Sequence, residues 1–590
     1  MNTKSLYHTD GSNSVSTMGT VSTKTGGMPL LNARCNIKNC IVAFSLVFFF
    51  SSCLDDLNTL PLNDHELTSD KVFNSSEGYR GLLAKCYGVL VMSGQSFGGN
   101  SDVAGIDEGY SSYTRSLLYL QDAASDIILF HSGSGVGTRD ILFTNWHSGT
   151  QVIMFSYYRL MIAIAFSNEL LREITDAKLR ERNLYNEMQA EAPYYRAEAR
   201  FIRAYAYSVL LDVYGSVPFI DENSRLGDIP RQRTREQLYD YTVAELEALA
   251  TELKAPGTNE YGRVDRVAAW FLLARTYLNA EVYVGKNEYA KAYENAKKVI
   301  ESGAYPLASD YRHVFLADNR TCGELVWPMP QDLENTKSWG GSNFVIKAMT
   351  AGTMREYTGM SDTWGNARMK TQLVDMFHAD DQPFDENDPW GDNKMDKRAQ
   401  FFTINHTKET WTDGPLANDF RTGYATLKWR NMTKDRQPLE PGGTTYSAID
   451  YPMFRTADAY LMAAEAILRG GGGTRAEALG YVNRIRDRAY MFGDFAAQGI
   501  RSVDGRITDA ELTLDFILDE RARELHLELV RRTDLIRFGK FTKSNNWDWK
   551  GSDGAAGNHI GKDVDDKYKL FPIPQSDITA NPFLVQNSDF

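Results

Sequence analysis

The chain has 590 residues, a formal net charge of −13 at pH 7, and a globular composition with 43% hydrophobic and 24% charged residues. This length exceeds one small domain but is compatible with a single large helical body. The negative charge repels nucleic acid and anionic lipid surfaces, so we expect neither as a partner.

The first 52 residues are interpreted as a polar extension followed by an export signal. Residues 41–50 are apolar except for Ser45. This run is too short for a bilayer-spanning helix of about 20 residues but typical of a signal-peptide core. Translation starting at Met28 instead of Met1 would leave a conventional leader. Two serines then precede Cys53, which resembles a bacterial lipoprotein cleavage box with Cys53 as the acylated residue. The alternative is an ordinary secretory signal with an incidental cysteine.

The N-terminal half reads as a series of helices. From residue 194 to 214 nearly every position after Arg203 is apolar, which indicates a helix buried on most sides. Gly215 ends it, because a residue tolerant of positive φ is needed there. Further helices are predicted at 77–91, 146–174 and 234–253, with a Gly/Ser-rich loop at 95–113.

Two pairs of helices show the spacing of a structural repeat. The first pair, 262–283 and 289–302, alternates small alanines with large leucines and tyrosines. The second pair, 457–469 and 475–489, is joined by a run of glycines. This spacing resembles a tetratricopeptide unit, in which small-into-large packing stacks helix pairs. We therefore predict a mainly α fold with TPR-like stacked helix pairs forming an α-superhelical scaffold.

The region between the two pairs has a different character. Residues 316–451 are rich in Gly, Asp, Asn, Thr and Trp, which favours short strands and long loops, with one helix near 371–378. A last helix is predicted at 514–532. The tail at 570–587 contains three prolines, which favour an extended chain.

Several separated motifs resemble the SusD/RagB family of nutrient-binding surface lipoproteins of Bacteroidetes. They are AEARFIRAYAYSVLLDVYGSVPF at 197–219, LDFILDERARELHLELVRRTDLIRFGK at 514–540 and LFPIPQSDITANPFLVQN at 570–587. Trp146 and Asn168 also match the family pattern, as does the cleavage box. Only residues 1–50 and parts of 330–450 lie outside the resemblance.

The resemblance implies a non-catalytic binding protein on the cell outer membrane, lipid-anchored and surface-exposed. It implies capture of an oligosaccharide and its delivery to a SusC-like TonB-dependent transporter, on which the helical scaffold rests as a hinged lid. The segment Leu54-Asp55-Asp56 after Cys53 resembles a surface-export signal. The alternatives are a RagB-type peptide or glycoprotein binder, a surface glycoside hydrolase, and a scaffold that binds only the transporter.

On this basis the chain divides into two parts. Residues 1–52 form the extension and lipoprotein signal, and 53–590 form one SusD-like globular domain. Within the domain we distinguish an N-terminal helical part at about 57–315, a ligand-face region of loops and short strands at 316–450, and a C-terminal helix pair with its tail at 451–590.

Glu520, Glu524 and Glu528 stand four residues apart, so a continuous helix would place them on one face. A glycosidase acid/base pair would instead face each other across a cleft. We therefore favour a structural role, with neutralisation by the nearby arginines, namely Arg521, Arg523, Arg531 and Arg532.

The remaining signals for catalysis or metal binding are weak. The acidic run at 380–396 offers oxygen ligands for a structural calcium, but its spacing is not that of an EF-hand, so we favour a solvated loop and no cofactor. A G-x-S-x-G match at 94–98 lacks the strand before it that a hydrolase requires. The cysteines show no CxxC or Cys/His pattern for zinc or redox chemistry. Cys86 and Cys322 are either a disulfide or two free thiols.

Aromatic residues in loops are the best candidates for ligand contact. A sugar ring presents a face of C–H groups that an aromatic face can cover, and nearby polar groups bind the hydroxyls. Trp327 lies in an apolar run that reads as strand core and is excluded. The candidates are Phe97, Asn100, Tyr110, Tyr113, Trp339, Asn343, Tyr357, Trp364 and Asn366.

Overall fold

The computed structural model describes residues 69–94, 100–130, 135–225, 227–410, 420–543, 547–554, 558–588 and 590. Residues from Ser69 to Phe590 cluster as one compact unit. The export signal, Cys53 and Phe97 lie outside the described residues. The division of the chain at residue 52 therefore stays a prediction.

Helices dominate the architecture. The α-helices before residue 302 are α1 (Ser69–Val72), α2 (Ser76–Val91), α3 (Glu108–Ser111), α4 (Tyr113–Leu118), α5 (Thr138–Phe143), α6 (Gln151–Glu173), α7 (Asp176–Glu181), α8 (Tyr185–Met188), α9 (Ala192–Val213), α10 (Arg235–Glu252), α11 (Arg266–Leu278), α12 (Ala280–Val284) and α13 (Tyr289–Glu301). Those that follow are α14 (Gly341–Met349), α15 (Thr371–Met376), α16 (Thr456–Leu468), α17 (Arg475–Ala489), α18 (Leu514–Leu525), α19 (Arg531–Arg537) and α20 (Gln575–Ala580).

The long helices stack side by side in a continuous series. α6 packs on α9, α9 on α10, α10 on α11, α11 on α13, α13 on α16, and α16 on α17. The two helix pairs predicted from small-into-large spacing are α11 with α13 and α16 with α17, and they meet where α13 contacts α16. The prediction of a mainly α fold with TPR-like stacked pairs is confirmed.

Helix α9, the second in this series, is buried along most of its length, as its sequence predicts. Its residues Phe201, Ile202, Ala204 and Ala206 are fully buried. Gly215 follows with φ of +76°, and its N–H donates to the carbonyl of Leu210, so the helix ends in the left-handed cap that glycine favours.

A polar link joins α9 to α6. Arg203 donates to the Asn168 side chain over 2.7 Å.

Trp146 is buried against the tail, with its ring centroid 4.4 Å from that of Phe571. The predicted helix at 146–174 begins only at Gln151, because residues 147–150 form a turn in which Thr150 N–H bonds to the His147 carbonyl.

Short strands were predicted for residues 316–451, where β4 to β7 lie and where β8 begins, whereas β1 to β3 precede that region. The strands are β1 (Ile128–Phe130), β2 (Val217–Pro218), β3 (Gln232–Arg233), β4 (Leu325–Met329), β5 (Ala367–Met369), β6 (Phe401–Phe402), β7 (Ala425–Thr426) and β8 (Tyr451–Arg455). They pair antiparallel as β1–β5, β2–β3, β4–β8 and β6–β7. Trp327 on β4 is buried beside Tyr205, with ring centroids 4.8 Å apart, so its assignment to the core is confirmed.

The predicted helix at 514–532 is wrong in its second half. α18 ends at Leu525, and Leu527 and Leu529 adopt positive φ of 63° and 66°. Two distant side chains hold this break. Lys428 donates to the carbonyl of His526 over 2.5 Å, and the N–H of Leu529 donates to Asp122 over 3.2 Å. Glu528 therefore does not share a helix face with Glu520 and Glu524.

Three smaller differences concern loops. The predicted loop at 95–113 gives way to helix at Glu108, so Tyr110 and Tyr113 are helical. Helix α14 was not predicted. The tail contains one short helix, α20, between its extended stretches.

Candidate ligand-binding surface

Three aromatic side chains come together on the loop-rich half. Trp339, Trp364 and Tyr446 are each partly exposed. The ring centroids of Trp339 and Trp364 are 5.9 Å apart, and those of Trp339 and Tyr446 are 5.1 Å apart. We call this trio the aromatic surface. Aromatic rings can cover an apolar face of a ligand, while the N–H of tryptophan and the O–H of tyrosine remain polar groups at the ring edges.

Helix α14 positions both tryptophans. Trp339 lies just before its first residue. At its other end the carbonyl of Lys347 accepts a hydrogen bond from Trp364 N–H over 2.8 Å, and the carbonyl of Ala348 accepts one from Asn366 N–H over 2.8 Å. The last carbonyls of a helix lack partners within the helix, so the 364–366 segment docks where these acceptors are available.

A buried cation lies beneath the two rings. The Lys347 side chain is fully buried, and its Nζ lies 5.0 Å from the Trp339 ring centroid and 5.5 Å from that of Trp364. It pairs with Asp362 over 2.5 Å. Burial lowers the pKa of Lys347, an effect that Asp362 opposes. The cation–π contacts hold the rings together from below, while the Asp362 side chain stays half-exposed beside them.

A buried carboxylate fixes the loop that carries Trp339. Glu108 accepts from the hydroxyls of Ser93 and Ser338, and from the Trp339 backbone N–H over 3.2 Å. The turn that follows is tight. At Gly340 a Cβ would meet the Ser112 hydroxyl at 1.9 Å. No side chain larger than hydrogen fits there, which explains the glycine between Trp339 and α14.

Two of the predicted contact residues serve the core instead. Tyr113 is fully buried and its hydroxyl bonds to that of Tyr205 over 2.5 Å. Asn343 is 3% exposed, and its Nδ2 donates to the carbonyl of Ser338 over 2.9 Å. Neither is exposed on the aromatic surface, so ligand contact by these two residues stays a prediction that their burial does not support. Asn343 instead supports the loop from below.

Other candidates lie apart from the aromatic surface or beside it. Tyr110 packs on Phe155, with centroids 5.5 Å apart, and its ring is covered by Arg115 at 4.0 Å. Tyr357 belongs to a separate cluster, 5.1 Å from Phe384. Asn366 is partly exposed next to Trp364, and Asn100 is exposed near Gly94.

Four residues of this region were missed by sequence reasoning, namely Glu108, Lys347, Asp362 and Tyr446. Tyr446 is an aromatic residue in a Gly/Thr-rich stretch and has the same local signal as the chosen tryptophans. The other three carry no local signal, because their roles depend on partners distant in the sequence.

The three glutamates near the C-terminus are buried and neutralised. Glu524 accepts from Arg398 over 3.2 Å and Arg455 over 2.6 Å, and pairs with Arg488. Burial alone would raise the pKa of Glu524, but these arginines lower it to about 2. Arg455 also reaches Glu528 over 2.6 Å. A general acid needs a raised pKa, so the structural role predicted for these carboxylates fits the geometry.

Most of their partners differ from those predicted. Arg523 does pair with Glu520, over 2.7 Å. Arg521 instead pairs with Asp458 over 2.7 Å, and Arg531 with Asp126 over 2.7 Å. Arg532 lies against aromatic rings, 4.5 Å from that of Phe571. The arginines that neutralise Glu524 come from elsewhere in the chain, because helix neighbours are directed to other carboxylates.

The part of the chain that the structure describes shows neither a cluster of metal ligands nor a reactive thiol. No three His, Cys, Asp or Glu side chains converge there as metal ligands. In the acidic run, Asp388 accepts from backbone N–H groups of Asp392 and Asn393, so it stabilises a turn. Cys86 and Cys322 are free thiols, and burial raises the pKa of each to about 12.

Over the same described ranges, the structure contains no helix with the length and apolar character needed to cross a bilayer.

Comparisons with known proteins agree on one family. A model of the SusD family matches residues 323–590. The starch-binding protein SusD of Bacteroides thetaiotaomicron is 32% identical over 578 residues, which is 92% of this chain and 96% of that protein. A SusD-like protein of Bacteroides ovatus is 23% identical over 66% of this chain and 73% of its own length.

Solved structures share the fold. Surface glycan-binding protein A from Bacteroides fluxus has a TM-score of 0.62 at 20% identity, covering 88% of this chain and 100% of its own. The protein of the same name from Bacteroides thetaiotaomicron, in complex with laminarihexaose, has a TM-score of 0.59 at 19% identity, covering 87% of this chain and 99% of its own. These relatives carry the names of binding proteins and not of enzymes.

Proposed function

This chain belongs to the SusD family, and on that premise we propose that it binds a glycan at the cell surface and passes it on without cleaving it. The observation that carries the proposal is the aromatic surface of Trp339, Trp364 and Tyr446. The starch-binding and glycan-binding names of its relatives support the same ligand class.

The surface has the chemistry that a sugar chain needs. Three adjacent rings offer apolar faces to the C–H faces of successive sugar units. The Asp362 carboxylate, half-exposed beside them, offers an acceptor for sugar hydroxyls. Because Lys347 and Glu108 fix the surface in advance, little side-chain entropy is lost when a ligand binds.

A non-catalytic role is supported by the environment of the three buried glutamates and by relatives that are named as binding proteins. A glycosidase needs two carboxyls facing the sugar, one of them with a raised pKa. The conspicuous glutamates Glu520, Glu524 and Glu528 are buried and held by arginines or lysine. We therefore assign them to the stability of the fold and the chain to the non-enzymatic binding proteins.

The proposal extends to where the protein works and what receives its ligand. We infer an outer-membrane lipoprotein acylated at Cys53, with a SusC-like TonB-dependent transporter as the partner. The motif at Cys53 and the family membership support this. Labelling with radioactive palmitate, in the wild type and in Cys53→Ser, tests the anchor, since label that persists in the variant contradicts it.

The central experiment is affinity electrophoresis in native gels containing neutral polysaccharides, with the gel contents analysed afterwards for shortened chains. We expect retardation by at least one glucan and no new chain ends. New chain ends would make the protein a hydrolase. Binding of a peptide panel with no retardation by any glycan would favour the RagB-type alternative.

A further inference from the structure

A groove of about 290 Å³ is lined in part by Met92, Pro330 and Thr336, which belong to the two chain segments that lead to the aromatic surface. Its floor comes from the C-terminal part of α2 and its far wall from the loop at 260–263. Its lining includes Leu83, Met92, Tyr261, Arg263, Pro330 and Thr336. Tyr261 is 48% exposed, which is unusual for a large aromatic side chain in this fold.

The far wall is held rigidly. Arg263 donates to the buried carboxylate of Glu198 over 2.9 and 2.6 Å. The hydroxyl of Tyr261 donates to Asp450 over 2.7 Å. Gly262 has φ of +85°, and a Cβ there would meet the Pro330 ring at 2.6 Å. The Tyr261 ring is therefore presented in one orientation, which lowers the entropy cost of binding to it.

The groove and the aromatic surface share one loop. The segment 330–339 contributes Pro330 and Thr336 to the groove and ends at Trp339. Asp332 closes this loop into a turn, since its carboxylate accepts from the backbone of Glu334 over 2.8 Å and its own N–H donates to the Thr336 hydroxyl over 2.6 Å.

The same continuity exists on the other side. Met92 lines the groove, and the next residue, Ser93, bonds to Glu108. Glu108 is the carboxylate that holds the backbone N–H of Trp339. One hydrogen-bonded unit therefore fixes both features relative to each other.

We propose that the groove is a second subsite, and that its occupant is the distal part of the same glycan chain whose nearer units lie on Trp339, Trp364 and Tyr446. The inference rests on the proposed function and adds the class of ligand: a linear glycan long enough to span both features. Tyr261 covers a sugar face in the groove, as the tryptophans do on the aromatic surface.

The charges of the groove favour a neutral chain. The Arg80 and Glu260 side chains form an exposed ion pair over 2.9 Å at the rim, and Arg263 is paired with Glu198 and Glu260. The positive and negative charges of these groups balance, so the groups offer hydrogen bonds to hydroxyls without an unpaired charge that would select acidic sugars. Apolar floor and polar rim together are the usual composition of a small-ligand site.

The test is how affinity depends on chain length. Calorimetry with malto-oligosaccharides and laminari-oligosaccharides, from the disaccharide upward, is carried out on the wild type, Tyr261→Ala, Tyr261→Phe and Trp339→Ala. We expect Tyr261→Ala to weaken the longest oligosaccharides about tenfold, or about 1.4 kcal/mol, and to leave the shortest binding ones unchanged. Tyr261→Phe keeps the ring but loses the hydrogen bond to Asp450 that orients it, so its affinity for the longest oligosaccharides should lie between those of the wild type and Tyr261→Ala. Trp339→Ala should weaken every length.

The other outcomes contradict the second subsite. If Tyr261→Ala binds every length as the wild type does, or weakens all lengths equally, the second subsite does not exist while the proposed function stands. If the wild type binds no length of either series, both the subsite and its glucan ligand are overturned. Circular dichroism and thermal unfolding of each variant show that any loss of binding is not a loss of fold.

Discussion

Replacing Trp339 by alanine tests the aromatic surface directly. The change removes the ring that contacts both Trp364 and Tyr446. It leaves the loop in place, because Glu108 accepts from the backbone N–H of residue 339, which alanine retains. Trp339 is partly exposed, so we expect only a small change in the free energy of unfolding.

The size of the effect on binding follows from the surface that a sugar would cover. A sugar ring on one indole face removes roughly 60–80 Å² of apolar surface from water, which at about 25 cal/mol per Å² is about 1.5–2 kcal/mol. We therefore expect Kd for an oligosaccharide to rise about 10- to 30-fold. Trp364 and Tyr446 remain, so binding should weaken and not vanish.

Isothermal titration calorimetry measures this change, and Phe583→Ala is the matched control. Phe583 is an aromatic residue with 42% exposure on the C-terminal tail, outside the aromatic surface, so its removal should leave Kd unchanged. A Trp339→Ala variant that is folded and binds with the wild-type Kd would refute the assignment of the ligand site. An equal loss in Phe583→Ala would show that the effect is not specific to the surface.

Three further predictions concern the supporting structure. Arg455→Met removes a guanidinium shared by buried carboxylates and should lower the free energy of unfolding in urea by about 3–5 kcal/mol, whereas Arg475→Met, at an exposed pair with Asp509, should change it by less than about 1 kcal/mol. Glu524 has a pKa of about 2 in the folded protein, below its pKa in the unfolded chain. Its ionised form therefore contributes about 3 kcal/mol to the free energy of unfolding above about pH 4.5, and this contribution is lost as pH falls towards 2. Acid unfolding that is insensitive to Glu524→Gln would contradict this. Glu108→Ala removes the carboxylate that accepts from Ser93, Ser338 and the Trp339 N–H, so we expect a loss of about 1–3 kcal/mol in the free energy of unfolding together with weaker glycan binding and altered tryptophan fluorescence. Unchanged binding would show that Glu108 does not position the aromatic surface.

The helical scaffold was predictable because its signals are local. The small-into-large spacing of α11, α13, α16 and α17 lies within each helix, and Gly215 marks the end of α9 by its own conformational freedom. Helix α14 was not predicted, because it is short, begins with glycine and lies in a stretch dominated by loop-forming residues. The break after α18 could not be predicted, because it depends on Lys428 and Asp122, which are remote in the sequence.

The candidate site was partly predictable for a similar reason. Trp339 and Trp364 stand out as large aromatics in a polar, glycine-rich region. Tyr113 has the same appearance in the sequence but is buried, because its partner Tyr205 lies on the buried helix α9. Which loop aromatics converge on one surface is decided by contacts between segments up to about a hundred residues apart, as between Trp339 and Tyr446, and such contacts leave no mark in the local pattern.

The measurement that bears most directly on the account is glycan retention by the wild type and by the double variant Trp339→Ala/Trp364→Ala in the same native affinity gels, followed by analysis of the glycan. We expect the wild type to be retarded by a neutral glucan whose chains stay intact. We expect the double variant, still folded, to migrate as it does without glycan. Equal retardation of the two proteins, or shortened chains in the wild-type lane, would contradict it.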